Sequence, residues 1–161
     1  MSVYGKDSAR IELRGKLDSL NAIIILLQAN SDSQEYTADL EEVRGVVNRL
    51  QRCEACEKIF DEGLMLWGVD GEELHRQSHN PAKFFGKGHI LPHHEMGRKA
   101  AELNFLRTAI RETELCAVRA FGNDDNLRIG HVLNRLSSAV YVLTYKYLPE
   151  DYRREICFGA S

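Results

Sequence analysis

Asn104, Arg107, Arg111 and Glu114 stand at i, i+3, i+7 and i+10 within Gly97–Phe121, a stretch with no Gly or Pro after its first residue. Ala, Leu, Glu and Arg fill that stretch, all strong helix formers. On a helix these four polar groups stack along one face. Two guanidinium groups one turn apart, flanked by an amide and a carboxylate, form a candidate anion site. Spacing alone favours a blander picture, a solvated face laced with ion pairs worth roughly 0–1 kcal/mol each. Leu103, Leu106, Ile110 and Ala117 make an apolar stripe at helical spacing beside the polar one.

Three other segments must position this helix. Residues 7–29 read as a first helix, with Asp7 or Ser8 as cap and Arg10, Arg14, Asp18 and Asn21 as a polar line. Its half from Ala22 to Leu27 is apolar all round, which predicts burial on several sides. Residues 35–61 read as a second helix with Leu40, Val43, Val47 and Leu50 inward and Gly63 as its end. Residues 125–147 read as the last long helix, capped by Asn123 or Asp124. Leu127, Val132, Leu136, Val140 and Leu143 form its apolar stripe; Arg128, His131, Asn134, Arg135 and Ser138 fill the remaining arc. Asp151–Cys157 reads as a short terminal helix. The expected fold is all-α, an up-down bundle of four long helices plus short ones, forming one domain over residues 1–161.

Residues 63–96 differ in character. Seven Gly or Pro residues and five of the six histidines lie there: His75, His79, His89, His93 and His94. A connector this long inside a domain is often functional. It reads as a lid packed by Trp67, Phe84 and Phe85, as part of a site, or as both. Leu74–Ser78 reads as a short helical turn. His75 and His79 at i, i+4 can share a metal if that turn is helical, although nearby Pro81 argues against a long helix there. Cys53 and Cys56 form a single CxxC, half of a structural metal site at most, and inert buried thiols are the better reading. No metal ligands are assigned. There is no phosphate-cradling GxxxxGK[ST] loop.

The chain has 161 residues, a formal net charge of -3 and 43% hydrophobic residues. The acidic balance argues against general nucleic-acid binding. No apolar run reaches the ~18 residues of a membrane span, and the start MSVYGKDSAR lacks the apolar core of a signal peptide. The expectation is a cytoplasmic protein with reduced thiols, binding neither nucleic acid nor membrane.

Several motifs carry a resemblance. Lys6-Asp7-Ser8-Ala9-Arg10, then Gly15-Lys16-Leu17-Asp18-Ser19-Leu20-Asn21, resembles the first-helix signature of cobalamin adenosyltransferases of the propanediol-utilisation type. Leu106–Glu114 resembles that family's A-R-T-x-x-R-R-A-E helix, and Asn134–Ser138 its N-R-L-S-D motif. Leu74–Pro81, His89–Pro92, Leu103–Thr108, Arg111–Glu114 and Asn134–Val142 resemble the ethanolamine-utilisation branch more closely still.

The resemblance implies a helical bundle that transfers the 5′-deoxyadenosyl group of ATP to the cobalt of a reduced corrinoid (cobalamin), with Mg2+, in ethanolamine utilisation. Cob(I)alamin is itself the nucleophile, so the protein's task is positioning and electrostatics. Carried over by motif, Arg111 and Asn134 contact ATP and Lys6 reaches the phosphates. Asp18 and Arg107 form an ion pair across a subunit interface, and Glu114 orients the arginines or a metal ion. Arg10, His89, Phe84 and Phe85 complete the expected ATP and corrinoid contacts. The implied partners are further copies of the chain (a trimer, with a dimer as alternative) and a corrinoid reductase or an adenosylcobalamin-dependent acceptor enzyme. A bacterial microcompartment is a further implied address.

The sequence also departs from the family. His89 stands where propanediol-type enzymes have Phe, and Ser138 where the family has Asp. Met1–Gly5 precede Lys6 where those enzymes carry a Gly/Thr-rich phosphate loop. That last difference supports the alternative reading, a corrinoid-binding or delivery protein without catalysis.

Overall fold

The computed structural model describes residues 3–156, with side chains from Ser8 onward. Four long helices carry it: α1 (Val3–Ala29), α2 (Gln34–Cys56), α5 (Arg98–Phe121) and α6 (Ile129–Tyr147). Between α2 and α5 run a hairpin of β1 (Met65–Leu66) and β2 (Val69–Asp70), then α3 (Gly71–His79), α4 (Pro81–Phe85) and a 3-10 turn at His94–Met96. The strands pair antiparallel, Met65 opposite Asp70 and Leu66 opposite Val69. α5 packs against both α1 and α6; α2 lies on α1, and α3 lies on α6. The chain is thus the all-α bundle that its periodicity predicts.

The inward stripes behave as read except at Leu127, which lies half-buried in the turn before α6. Leu40, Val43, Val47 and Leu50 are buried, as are Leu103, Leu106, Ile110, Val132, Leu136 and Val140. Each such side chain contributes roughly 1.5–3 kcal/mol when fully buried. α1 is the larger exception. Leu13, Leu17, Leu20, Ile24 and Leu27 are buried, but Ile25 and Leu26 are exposed. The expectation of all-round burial fails because α2 and α5 cover one side of α1 only.

Helix ends also move. α1 begins at Val3, so Asp7 and Ser8 lie inside it rather than at its cap. α2 stops at Cys56, not near Gly63, because Glu57 turns left-handed (φ 52°) with the amide of Lys58 closing onto Cys53 O. Phe60 then drops into the core, and its amide donates to Leu127 O at 3.0 Å. α6 begins at Ile129 rather than 125. Arg128 holds the N-cap position, and the Asp125 carboxylate, not Asn123 or Asp124, accepts from the first-turn amides of Ile129 (2.9 Å) and His131 (3.2 Å). Residues 151–156 do not form the expected terminal helix. Their backbone pairs with the loop before the 3-10 turn: Leu91 N donates to Arg154 O and Ile156 N to His89 O. Cys157 lies outside the described residues.

Pro81 does not abolish a helix around His75. It sits at the first position of α4, where a missing N–H costs nothing, and leaves α3 intact before it. Asp70 caps α3 by accepting from Glu72 N at 2.8 Å.

Candidate functional site

α5 and α6 bring together most of the residues that the sequence singles out. Asn134 Nδ2 on α6 donates to Glu114 Oε1 on α5 at 3.0 Å. The other Glu114 oxygen accepts from Arg111 Nη1 at 2.8 Å. Asn134 Oδ1 in turn accepts from Arg135 Nη1 at 2.6 Å, and Arg135 Nε donates to Glu72 Oε1 on α3 at 2.8 Å. Five side chains from three helices thus form one polar chain. Glu114 holds Arg111 and Asn134 at once, so it fixes the two groups that the family resemblance pairs as ATP contacts.

Arg107 lies one turn from Arg111. Its Nη2 donates to Asn104 Oδ1 at 3.0 Å, and no carboxylate among the described residues pairs with it. It is half-buried. Burial, with the nearby charge of Arg111, pulls its pKa below the ordinary arginine value against the opposing influence of Tyr141. A desolvated cation without an anion is costly, and an arriving anion would relieve that cost. Arg107 faces a cavity of about 220 Å³ lined also by Asn104, His89, Ile90, Tyr141 and Thr144.

Two tyrosines fix the far wall of that cavity. Tyr145 donates to Gly88 O at 2.7 Å, which leaves its oxygen to accept from Tyr141 at 3.0 Å. Tyr141 in turn accepts from the amide of Ile90 at 3.1 Å and meets His89 Nδ1 at 3.2 Å. Burial chiefly, and then Tyr141, push the Tyr145 phenol far above its usual range, so it stays a neutral donor. The Gly88–Ile90 segment is therefore tied to α6. Sequence reasoning missed Tyr145 and the role of Tyr141. The signal was present: Asn134, Ser138, Tyr141 and Tyr145 continue one helical stripe at i, i+4, i+7 and i+11.

The remaining predicted residues scatter. Phe85 stacks on Tyr145 with ring centres 4.5 Å apart and borders a separate apolar cavity of about 370 Å³ with Trp67, Leu74 and Val142. Phe84 lies under the guanidinium of Arg76, 4.9 Å from its ring centre. Arg10 is held by α2: it donates to Glu54 Oε1 through Nε (3.1 Å) and Nη2 (2.9 Å), and to Glu57 at 2.7 Å. Asp18 is exposed on α1 and has no hydrogen bond or ion pair to the described residues. The side chain of Lys6 lies outside the described ones. The thiols do not behave alike: Cys53 is half-buried and Cys116 buried, both pushed up by burial, while Cys56 is exposed. Among the described residues no three His, Cys, Asp or Glu side chains converge on one point. No described helix is long and apolar enough to cross a membrane.

Comparison with known proteins converges on one family. The family model for cobalamin adenosyltransferase matches residues 1–147. The corrinoid adenosyltransferase EutT of Salmonella typhimurium is 35% identical over 145 residues, covering 88% of this chain and 54% of that protein. EutT of Escherichia coli strain K12 is 36% identical over 146 residues, again 88% of this chain and 54% of the relative. The chain spans about half the length of the curated relatives it matches. The match over residues 1–147 shows that the chain belongs to the cobalamin adenosyltransferase family.

Proposed function

We propose that the chain carries ATP:cob(I)alamin adenosyltransferase activity in its α5–α6 cleft, a reading supported by the name corrinoid adenosyltransferase that its EutT relatives carry. The observation that carries this reading is Glu114, whose two oxygens hold Arg111 on α5 and Asn134 on α6 side by side at 2.8 and 3.0 Å. In the reaction a cobalt–carbon bond forms at C5′ of the ribose, and the C5′–oxygen bond breaks. The electron pair of the broken bond leaves with triphosphate, and cobalt passes from Co(I) to Co(III). Reduced cobalt supplies the nucleophile, so no protein base is needed. The cleft's work is to hold ATP in line and to stabilise charge on the departing triphosphate.

In this account Arg111 and Asn134, both fixed by Glu114, contact ATP, and Arg107 supports the site through an ion pair with Asp18 of a neighbouring copy. His89, on the segment tied to Tyr141, borders the corrinoid side, and Phe85 stacks on Tyr145 away from it. Arg10 contributes indirectly, by holding α1 on α2. A Mg2+ ion would be carried mainly by the triphosphate, since the cleft carboxylates are already engaged by arginines and hard cations of this kind keep few protein ligands.

A homo-oligomer completes the reading. Ile11, Ile25 and Leu26 on α1 and Phe105, Leu115 and Val118 on α5 are exposed, and Asp18 lies on α1 between Ile11 and Ile25. A neighbouring copy would cover this apolar surface and bring its Asp18 to Arg107. The test is anaerobic: chain, chemically reduced cob(I)alamin, ATP and Mg2+, followed by the absorbance change as the cobalt–carbon bond forms. Turnover above the protein-free control supports the enzyme. Corrinoid binding without turnover supports the alternative, a corrinoid-binding or delivery protein.

A further inference from the structure

Outside the α5–α6 cleft, α3 presents two imidazoles toward each other. His75 and His79 lie at i, i+4, and their Nε2 atoms are 3.2 Å apart. Their rings meet edge to face with centres 4.5 Å apart. Two nitrogens bound to one tetrahedral Zn2+ at about 2.0–2.1 Å would lie roughly 3.3 Å apart. The pair therefore already stands at the separation a shared metal requires.

The other nitrogen of His75 is fixed as well. His75 Nδ1 meets Ser138 Oγ at 2.9 Å, and that hydroxyl donates to Asn134 O at 3.3 Å. Ser138 therefore accepts from Nδ1–H, which leaves a lone pair on His75 Nε2 directed at His79. A ligand imidazole held through its second nitrogen is the usual arrangement around protein-bound metals. Burial first, then the charge of Arg135, keep His75 below the usual histidine pKa and favour its neutral, ligating form.

We propose that His75 and His79 form a binding site for a borderline divalent cation such as Zn2+, with water in the remaining positions. No third His, Cys, Asp or Glu among the described residues closes the site. Imidazole selects Zn2+ and its transition-metal neighbours over Mg2+, which prefers oxygen. Arg135, whose charge acts on His75, is neutralised by Glu72, which also pairs with His131. In the metal-free chain the two rings share one N–H. On binding, His79 shifts that proton to its own Nδ1, so the neutral pair accepts the metal without net proton release. Ser138 is one turn from Asn134, so the ion would sit beside the proposed nucleotide cleft. The proposal does not depend on adenosyl transfer.

The test is Zn2+ titration by calorimetry on the full chain with Cys53, Cys56 and Cys157 changed to Ser, so that thiols do not compete. The expected result is one Zn2+ per chain, with a Zn2+-dependent shift of the His75 and His79 Nε2 signals in nitrogen NMR. His79 is exposed, so His79→Gln keeps the fold; it weakens binding at least tenfold. Ser138→Ala weakens it by about tenfold through loss of the orienting hydroxyl. Absence of Zn2+ binding, or binding unchanged in His79→Gln, overturns the proposal.

Discussion

Glu54 is the residue whose removal the structure prices most directly in stability. Its side chain is 2% exposed at the α1–α2 contact. Oε1 accepts from Arg10 Nε and Nη2, and Oε2 accepts from Arg14 Nε at 2.7 Å. Glu54→Ala leaves two guanidinium groups facing an apolar gap. Removing one partner of a buried ion pair costs about 3–5 kcal/mol. Two features reduce that here. Arg14 is 58% exposed and can turn to water, and Arg10 keeps the Glu54 carbonyl and Glu57. About 2–3 kcal/mol remains. For a chain of this length each kcal/mol shifts the midpoint by roughly 2–4 °C, so Tm falls by about 4–12 °C. Glu57→Ala removes only the exposed end of the same network and serves as control, at roughly 0–1 kcal/mol. Urea and thermal unfolding of both variants read the difference. Equal stability of Glu54→Ala and Glu57→Ala would refute the reasoning, and with it the assignment of Arg10 to holding α1 on α2.

Two further outcomes follow from local geometry. Tyr141→Phe removes the hydroxyl that accepts from Ile90 N and bridges to Tyr145. It costs about 1–3 kcal/mol because the Ile90 amide is left unsatisfied, and in the transferase assay it raises the KM for corrinoid more than that for ATP. Arg44 and Gln28 hold the Glu41 carboxyl down at about 2, against an ordinary 4.5. A depressed carboxylate stabilises the fold fully above pH 4.5 and progressively less as pH falls toward 2. Glu41→Gln should therefore flatten the acid limb of the stability curve in that window and leave no difference from the unaltered chain at its foot.

The helices were legible because their apolar repeats are long and uniform. Leu40 to Leu50 and Leu103 to Ile110 needed only the 3.6-residue period. The α5 stripe was equally legible, since Asn104, Arg107, Arg111 and Glu114 follow the same period. Its partners were harder to find. Glu72 is 63 residues from Arg135, and nothing local announces their ion pair. Tyr145 reads as an apolar helix residue until Gly88 is seen to lie against it. Helix ends failed where a side chain further along did the capping, as Asp125 does for α6. The burial of Ala22–Leu27 failed because composition reports hydrophobicity and not which neighbours are present. The resemblance to cobalamin adenosyltransferases, carried by motifs spread over the chain, is borne out by the family match.

The central claim is that the α5–α6 cleft binds the triphosphate of ATP. The most direct measurement is the affinity for ATP and for adenosine, by calorimetry, of the unaltered chain and of Arg111→Ala with its fold checked by circular dichroism. A hydrogen bond to a charged group is worth about 1.5–3 kcal/mol, or roughly 10–150-fold. The account predicts that Arg111→Ala loses ATP affinity by that factor and keeps its adenosine affinity. Unchanged ATP affinity in a folded Arg111→Ala chain would contradict it.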